Sequence, residues 1–306
     1  MSWRDCSAIE THCRSSKDVA SKVEHDVRAR LAALEPLVTG RIDRAAVLAR
    51  GSVQRGTALS DAPKPDLIYD IGMSEGNDTD YYLRKGFRVV GVEADPRLFE
   101  HLTTRFGFEI MAGRLIVLNR AASDQSGKEI SFWHNEFYQG LSSTIRNEHP
   151  SLSDRQVEYR VRTIGWSELV TLAGVPHYCK IDIEGGEGPF LRGLQRSGQR
   201  PTFISAEVHS FEPVQIIRDI GYSRFKFVNQ KLLGDLVGLL PNPPLEGVHV
   251  AEPNWIHASG PFGRELPDQW LDFEQAREVF GMISRLRTMS AILGPCWFDC
   301  HAWWEG

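Results

Sequence analysis

DLIYDIGMSEGNDTDYYL, from Asp66 to Leu83, is an apolar run that breaks at Gly72 and Gly76 and then takes on helical period. A buried strand that ends in a glycine turn and feeds a helix is the opening unit of a parallel α/β sheet. It brings backbone N–H groups and turn side chains to the carboxyl edge of the sheet, where such sheets bind ligands. YCKIDIEGGEGPFL, from Tyr178 to Leu191, repeats the pattern further along the chain and adds carboxylates to the same edge.

Between and after these segments, strand-like and helical runs alternate. FRVVGVEA leads to a predicted helix near Pro96 to Phe106, and LIVLNRAA to a loop and a short strand near Ile130 to Trp133. Tyr159 to Ile164 precedes a helix near Trp166 to Ala173. A helix near Pro189 to Arg196 follows YCKIDIEG, and TFISAEVH and FKFV flank another near Pro213 to Ile220. The alternation predicts crossover connections and an α/β, mainly parallel, doubly wound sheet with helices on both faces, spanning residues 61–240. Ahead of it, in residues 1–60, Val19, Val23, Val27, Leu31 and Leu34 recur at three- and four-residue steps. They mark an amphipathic helix from Lys17 to Glu35, a surface for packing on the core domain, for pairing two copies into a homodimer or for covering the bound ligand as a lid. Residues 241–306 are proline-rich, carry Trp297, Trp303 and Trp304, and read as an extension capping the substrate face.

With 42% apolar and 25% charged side chains, the 306 residues suit a soluble globular protein. The net charge of -5, with lysines and arginines scattered, lacks the basic footprint of a nucleic-acid binder and suits a small-molecule substrate. Neither a signal-like apolar region nor a bilayer-length apolar window occurs, so a cytoplasmic protein with no membrane partner is expected. Five scattered cysteines (Cys6, Cys13, Cys179, Cys296 and Cys300) fit reduced thiols. Cys296, Cys300 and His301 lack a second ligand pair of zinc-site spacing, and no metal is expected there.

Gly72 and Gly76 allow positive φ and close approach of a ligand to the backbone. Glu93 ends the next strand, where a carboxylate can accept hydrogen bonds from both hydroxyls of a ribose, so the turn suits an adenosine. A dinucleotide turn would read G-x-G-x-x-G, whereas this one reads G-M-S-E-G with Asp70, Glu75 and Asp78 around it. Those acids repel a pyrophosphate and attract the ammonium and sulfonium of S-adenosylmethionine. Glu75 and Asp78 equally suit the first turn of a helix, where they complement its dipole.

D-I-G-x-x-x-G-x-x-T (Asp70 to Thr79), V-x-G-V-E-A-D-P (Val89 to Pro96), N-R-A-A-S-D (Asn119 to Asp124) and K-I-D-I-E-G-G-E (Lys180 to Glu187) together resemble the FkbM family of S-adenosylmethionine-dependent methyltransferases. The resemblance runs from about Asp66 to Val228 and implies a class I Rossmann-like domain, with methylation of a hydroxyl on a sugar or natural product. Carried over by position, Asp70, Gly72, Gly76 and Thr79 would serve the methionine end. Glu93 would serve the ribose with Ala94 beside it, Ala121 the adenine, and Asp182 the floor beneath the methyl group. T-I-G-W-S-E, Thr163 to Glu168, departs from the family's usual T-L-D-E, so no acid is assigned there.

Transfer to a hydroxyl needs an aligned nucleophile and a group to take its proton. Asp182 and Glu184 stand two apart at a strand end and share a face, as do Asp299 and His301. His301 and His209, the latter at the end of TFISAEVH, compete as general base, with packing as the alternative for each. The aromatic, hydroxyl-rich stretch Phe132 to Pro150, with Trp133, His134, Phe137, Tyr138 and Ser142 to Thr144, suits either acceptor binding or loop packing. Two other classes remain open, a nicotinamide-dependent oxidoreductase and a non-catalytic binding protein or scaffold on the same fold.

Overall fold

The computed structural model describes residues 62–136, 142–146, 155–267, 269–289 and 296–305. The amphipathic helix expected at Lys17 to Glu35, and Phe137 and Tyr138 of the aromatic stretch, lie outside them.

The sheet grows from β1 (Lys64–Ile71), whose exposed start gives way to five buried residues. From it the chain passes through the helix α1 (Asn77–Arg84) to β2 (Arg88–Glu93), then through α2 (Pro96–Arg105) to β3 (Leu115–Asn119). Later it returns to the other side of β1 as β7 (Pro176–Ile181), followed by α4 (Glu187–Ser197), β8 (Phe203–Glu207), α5 (Glu212–Ile220) and β9 (Arg224–Asn229). With β10 (Phe298–Trp303), the order β3-β2-β1-β7-β8-β10-β9 places a topological switch point between β1 and β7. Strands β1, β2, β3, β7 and β8 pair in parallel, with Tyr69 opposite Val90 on one side and Cys179 on the other.

Alternation along the strands divides the side chains between two cores. On one face Tyr69, Ile71, Val90, Cys179, Ile181, Ile204, Ala206 and Cys300 pack with residues of α3 (Trp166–Ala173), α4 and α5. On the other, Ile68, Val89, Tyr178 and Phe203 pack with Tyr81 and Tyr82 of α1 and with Phe262, whose ring stacks on Tyr178 at 4.3 Å. A smaller sheet, order β4-β6-β5, is formed by β4 (Ala121–Ala122), β5 (Glu129–Asn135) and β6 (Gln156–Ile164). No helix among the described residues is long and apolar enough to cross a membrane.

The C-terminal region departs from the expected cap. β10 (Phe298–Trp303) is an inner strand, antiparallel to both β8 and β9, so the architecture is a mixed rather than purely parallel sheet. Its six-residue pattern, buried between two strands, carries too short an alternation to be recognised among tryptophans. Residues 245–265 run alongside α1: Arg84 donates to the Ala251 carbonyl, Asn77 to that of Ile256, and Lys85 pairs with Glu265 at 2.9 Å in the interior. The helix α6 (Phe273–Met289) was also missed. Only Ala276 of its described residues is fully buried, so its apolar stripe is weak.

Candidate active site

At the switch point the first glycine turn touches the end of β7. Gly72 has φ +86°, and a Cβ there would fall 1.8 Å from the Asp182 carbonyl oxygen, so only glycine lets the two strand ends meet. Gly76, also at positive φ, caps α1 against Leu102 and Phe106. Asp70 is fully buried and accepts a 2.6 Å hydrogen bond from Thr79 Oγ1. Both residues therefore hold the turn from within rather than facing the crevice.

Lys180 organises this interior. Its buried ammonium donates to the Gly72 carbonyl at 2.6 Å and stands 3.4 Å from Asp70, 3.6 Å from Asp78 and 3.7 Å from Asp182. Burial works against its charge, but the carboxylates of Asp70, Asp182, Asp78 and Asp299 outweigh that, and its pKa is raised well above the ordinary lysine value. Sequence reading gave Lys180 no role, although a single lysine inside the apolar run YCKIDI was a visible signal. Asp78 also accepts the Ser259 N–H at 2.9 Å, and burial pushes its pKa up to about 6 against the pull of Lys180. The charges of Asp70 and Asp78, expected to attract a cationic ligand, are thus largely answered by Lys180, while Glu75 is exposed.

Glu93, the last residue of β2, is buried and accepts backbone N–H groups from Ser74 and Asp95, both at 2.8 Å. Burial raises its pKa to about 7 despite those two bonds. Ala94 packs with Ala121 and Phe132 in a small apolar cluster beside it, and Asn119 donates to the Glu93 and Ala94 carbonyls. Asp95 caps α2 by accepting Arg97 N–H, and it also holds His134 Nδ1. Arg97 can only donate to His134 Nε2, at 3.1 Å, so the imidazole proton sits on Nδ1. His134 is therefore a buried tie between β5 and α2, the packing alternative of the two readings for this stretch.

The neighbouring strand ends gather the remaining acids. The Asp182 side chain is 30% exposed at the edge. Glu184 follows in a left-handed conformation, φ +51°, its carbonyl accepting the Ser143 hydroxyl at 2.7 Å. Glu187 closes that turn by accepting the N–H groups of Ile183 and Gly185, both at 3.0 Å. Glu207 ends β8 and pairs with His209 at 3.1 Å. Burial, with Glu207 and Asp182 nearby, pushes the Glu184 pKa up to about 8. The hydrogen bond to Glu207 raises that of His209 to about 9, so its imidazole is protonated at neutral pH.

The fold therefore brings Asp182, Glu184 and His209 together and leaves His301 out. On β10, His301 is opposite Ser205, one side-chain step below the Asp299–Glu207 pair, and is 1% exposed. Its ring lies 6.5 Å from Tyr178, neither nitrogen has a hydrogen-bond partner, and burial lowers its pKa to about 3. It is an interior neutral imidazole without access to a reacting hydroxyl. Cys300 faces the opposite core, so the two residues do not converge.

A family model described as "Methyltransferase FkbM domain" matches residues 70–234. The hexuronic acid methyltransferase AglP of Haloferax volcanii is 27% identical over 154 residues, 50% of this chain and 59% of that protein. Among solved structures, methyltransferase FkbM from Methylobacillus flagellatus KT is 20% identical over 56% of this chain and 41% of its own, with a TM-score of 0.35. Precorrin-6y C5,15-methyltransferase from Geobacter metallireducens GS-15 is 10% identical over 85% and 86% of the two chains, also with a TM-score of 0.35.

Proposed function

The chain belongs to the FkbM methyltransferase family, and from that premise we propose that it is an S-adenosylmethionine-dependent O-methyltransferase acting on a hydroxyl of a small, sugar-like acceptor. The observation that carries the reading is the meeting of the Gly72 turn, Glu93 and Asp182 at the switch point. In this reading residues 61–240, completed by β10, form a class I Rossmann-like domain.

The residues fit the cofactor chemically. Each Glu93 oxygen accepts one backbone N–H and keeps a lone pair for a ribose hydroxyl. Ala94 and Ala121 would flank the adenine, and the Gly72 backbone, where any Cβ would intrude, would lie along the methionine end. Asp182 supplies a carboxylate on the cationic side. When bound, S-adenosylmethionine supplies an electrophilic methyl group on a sulfonium.

The chain's own residues do the rest. Lys180 fixes the Gly72 carbonyl and Asp182 in one geometry. Asp182 and Glu184 orient the acceptor hydroxyl, and a carboxylate of this edge takes its proton. His209, protonated in its pair with Glu207, does not act as the base. The hexuronic acid acceptor of AglP makes uronic acids the first acceptors to try.

Calorimetric titration with S-adenosylhomocysteine tests the reading. Binding is expected, weakened by about 1–3 kcal/mol in Glu93→Ala through lost charge-assisted hydrogen bonds. Folded protein that binds no cofactor at millimolar concentration refutes it, and mass spectrometry of a uronic acid panel then identifies the acceptor by gain of one methyl.

A further inference from the structure

We infer that Glu184, Glu207 and His209 form a binding site for one divalent transition-metal ion, of which Mn2+ is the representative. The ion's role rests on the methyltransferase reading, but the site itself does not. Each residue offers one ligand atom, and the three atoms lie within 4.8 Å of one another; no other group of this kind occurs among the described residues. Metal–ligand distances of about 2.0–2.2 Å therefore need only a modest closure of the side chains.

The ligands come from adjacent parallel strands: Glu184 from the turn after β7, Glu207 from the last residue of β8 and His209 two residues beyond. Glu187 holds that turn through Ile183 and Gly185, so the ligands stand on a fixed edge. The Glu207 side chain is 5% exposed and that of His209 is 47% exposed, which leaves the outer side open to an oxygen ligand from the acceptor.

Charge favours a cation here. Asp182, Glu187 and Asp299 lie around Glu184 and Glu207, and the nearby Lys180 is already engaged by Asp70, Asp78 and the Gly72 carbonyl. Binding displaces to solvent both the proton that His209 shares with Glu207 and the proton held by the Glu184 carboxyl. Two carboxylates and an imidazole suit Mn2+ or a later first-row ion better than Mg2+, which prefers oxygen ligands. With the ion bound by these three, an acceptor oxygen is held at the edge and Asp182 remains free to take its proton.

The test uses the full chain stripped with chelator and titrated calorimetrically with MnCl2 alone. One ion per chain is expected, with Mg2+ binding weaker and with His209→Ala and Glu184→Gln each losing about tenfold or more in Mn2+ affinity. Both variants should retain the wild-type affinity for S-adenosylhomocysteine to within about twofold, because neither residue is assigned to the cofactor. No Mn2+ binding at millimolar concentration in protein with intact thermal unfolding overturns the site, as does unchanged Mn2+ affinity in both variants. Loss of S-adenosylhomocysteine binding with Mn2+ binding intact would sink the methyltransferase reading and leave the site standing.

Discussion

Replacing Lys180 by methionine keeps the stem that lies under the turn and removes the ammonium. The Gly72 carbonyl loses its 2.6 Å donor, and Asp70 and Asp78, both nearly inaccessible, lose the cation at 3.4 and 3.6 Å. Removing one partner of a buried ion pair costs about 3–5 kcal/mol, and stranding a buried carbonyl about 1–3 kcal/mol more. Partial protonation of Asp78 relieves some of this, so a net loss of about 4 kcal/mol is expected at pH 7.5, against a usual domain stability of about 5–15 kcal/mol. The relief has a definite sign. In the variant the folded-state pKa of Asp78, already about 6, rises further once Lys180 is gone, so the stability it leaves is present at low pH and is lost as pH rises. The deficit should therefore shrink at pH 5. Adding Asp70→Asn removes one uncompensated charge and should return about 1 kcal/mol or more. Urea unfolding followed by circular dichroism measures all four proteins of the cycle. A loss below about 1 kcal/mol for Lys180→Met, or effects of the two substitutions that add to within about 0.5 kcal/mol, would refute the account of Lys180 as the shared counter-ion.

Gly72→Ala meets both a left-handed backbone and a carbonyl 1.8 Å from its new methyl, so it should cost more than about 1 kcal/mol and lower cofactor affinity; an unchanged melting temperature contradicts this. His301→Phe replaces two unpartnered ring nitrogens with carbon beside Tyr178, and should hold or raise stability by about 1 kcal/mol without lowering turnover. A folded His301→Phe protein with reduced turnover would restore His301 to catalysis. Between pH 7 and 9 the metal-free protein should lose stability, because Glu184 titrates near 8 when folded and near the ordinary 4.5 when unfolded, and so holds a proton preferentially in the folded state. That group alone removes about 1 kcal/mol over the interval, and the decline should flatten in Glu184→Gln. Equal slopes for the two proteins would show that the carboxyl is not held protonated.

The parallel half of the sheet was legible because its strands carry short apolar runs, with β1 and β7 leading into glycine turns. Trp166 to Ala173 was placed without error, and the helix starts at Asn77 and Pro96 were also found, these two following strands that are buried to their ends. The C-terminal half was not legible. β10 alternates Asp299 and His301 with Cys300 and Ala302, a period that would normally mark one polar face turned to solvent, yet both sets are buried, so the short pattern gave no sign of an inner strand. The backbone placement of Gly72 and Gly76 was legible from turn chemistry, and that of Glu93 at the end of β2 from its distance to the turn. Lys180, Glu207 and the Asp95–His134 tie were passed over because their roles depend on charges brought from other strands. His301 misled for the same reason, since proximity to Asp299 in sequence says nothing about depth beneath the edge.

The slot filled by β10 also bears on how the chain reaches its final form during synthesis. β8 and β9 lie on either side of Phe298–Trp303 and do not pair with each other. A nascent chain whose growing end lies between Asn229 and Phe298 thus presents two open strand edges, a template for pairing with other chains. Closing that slot requires a contact between distant parts of the sequence, which is slow to form. Asp299 reaches its place opposite Glu207 at the same moment. The acidic edge gains Asp299 only when β10 is seated, and until then the open slot is what a chaperone would have to shield.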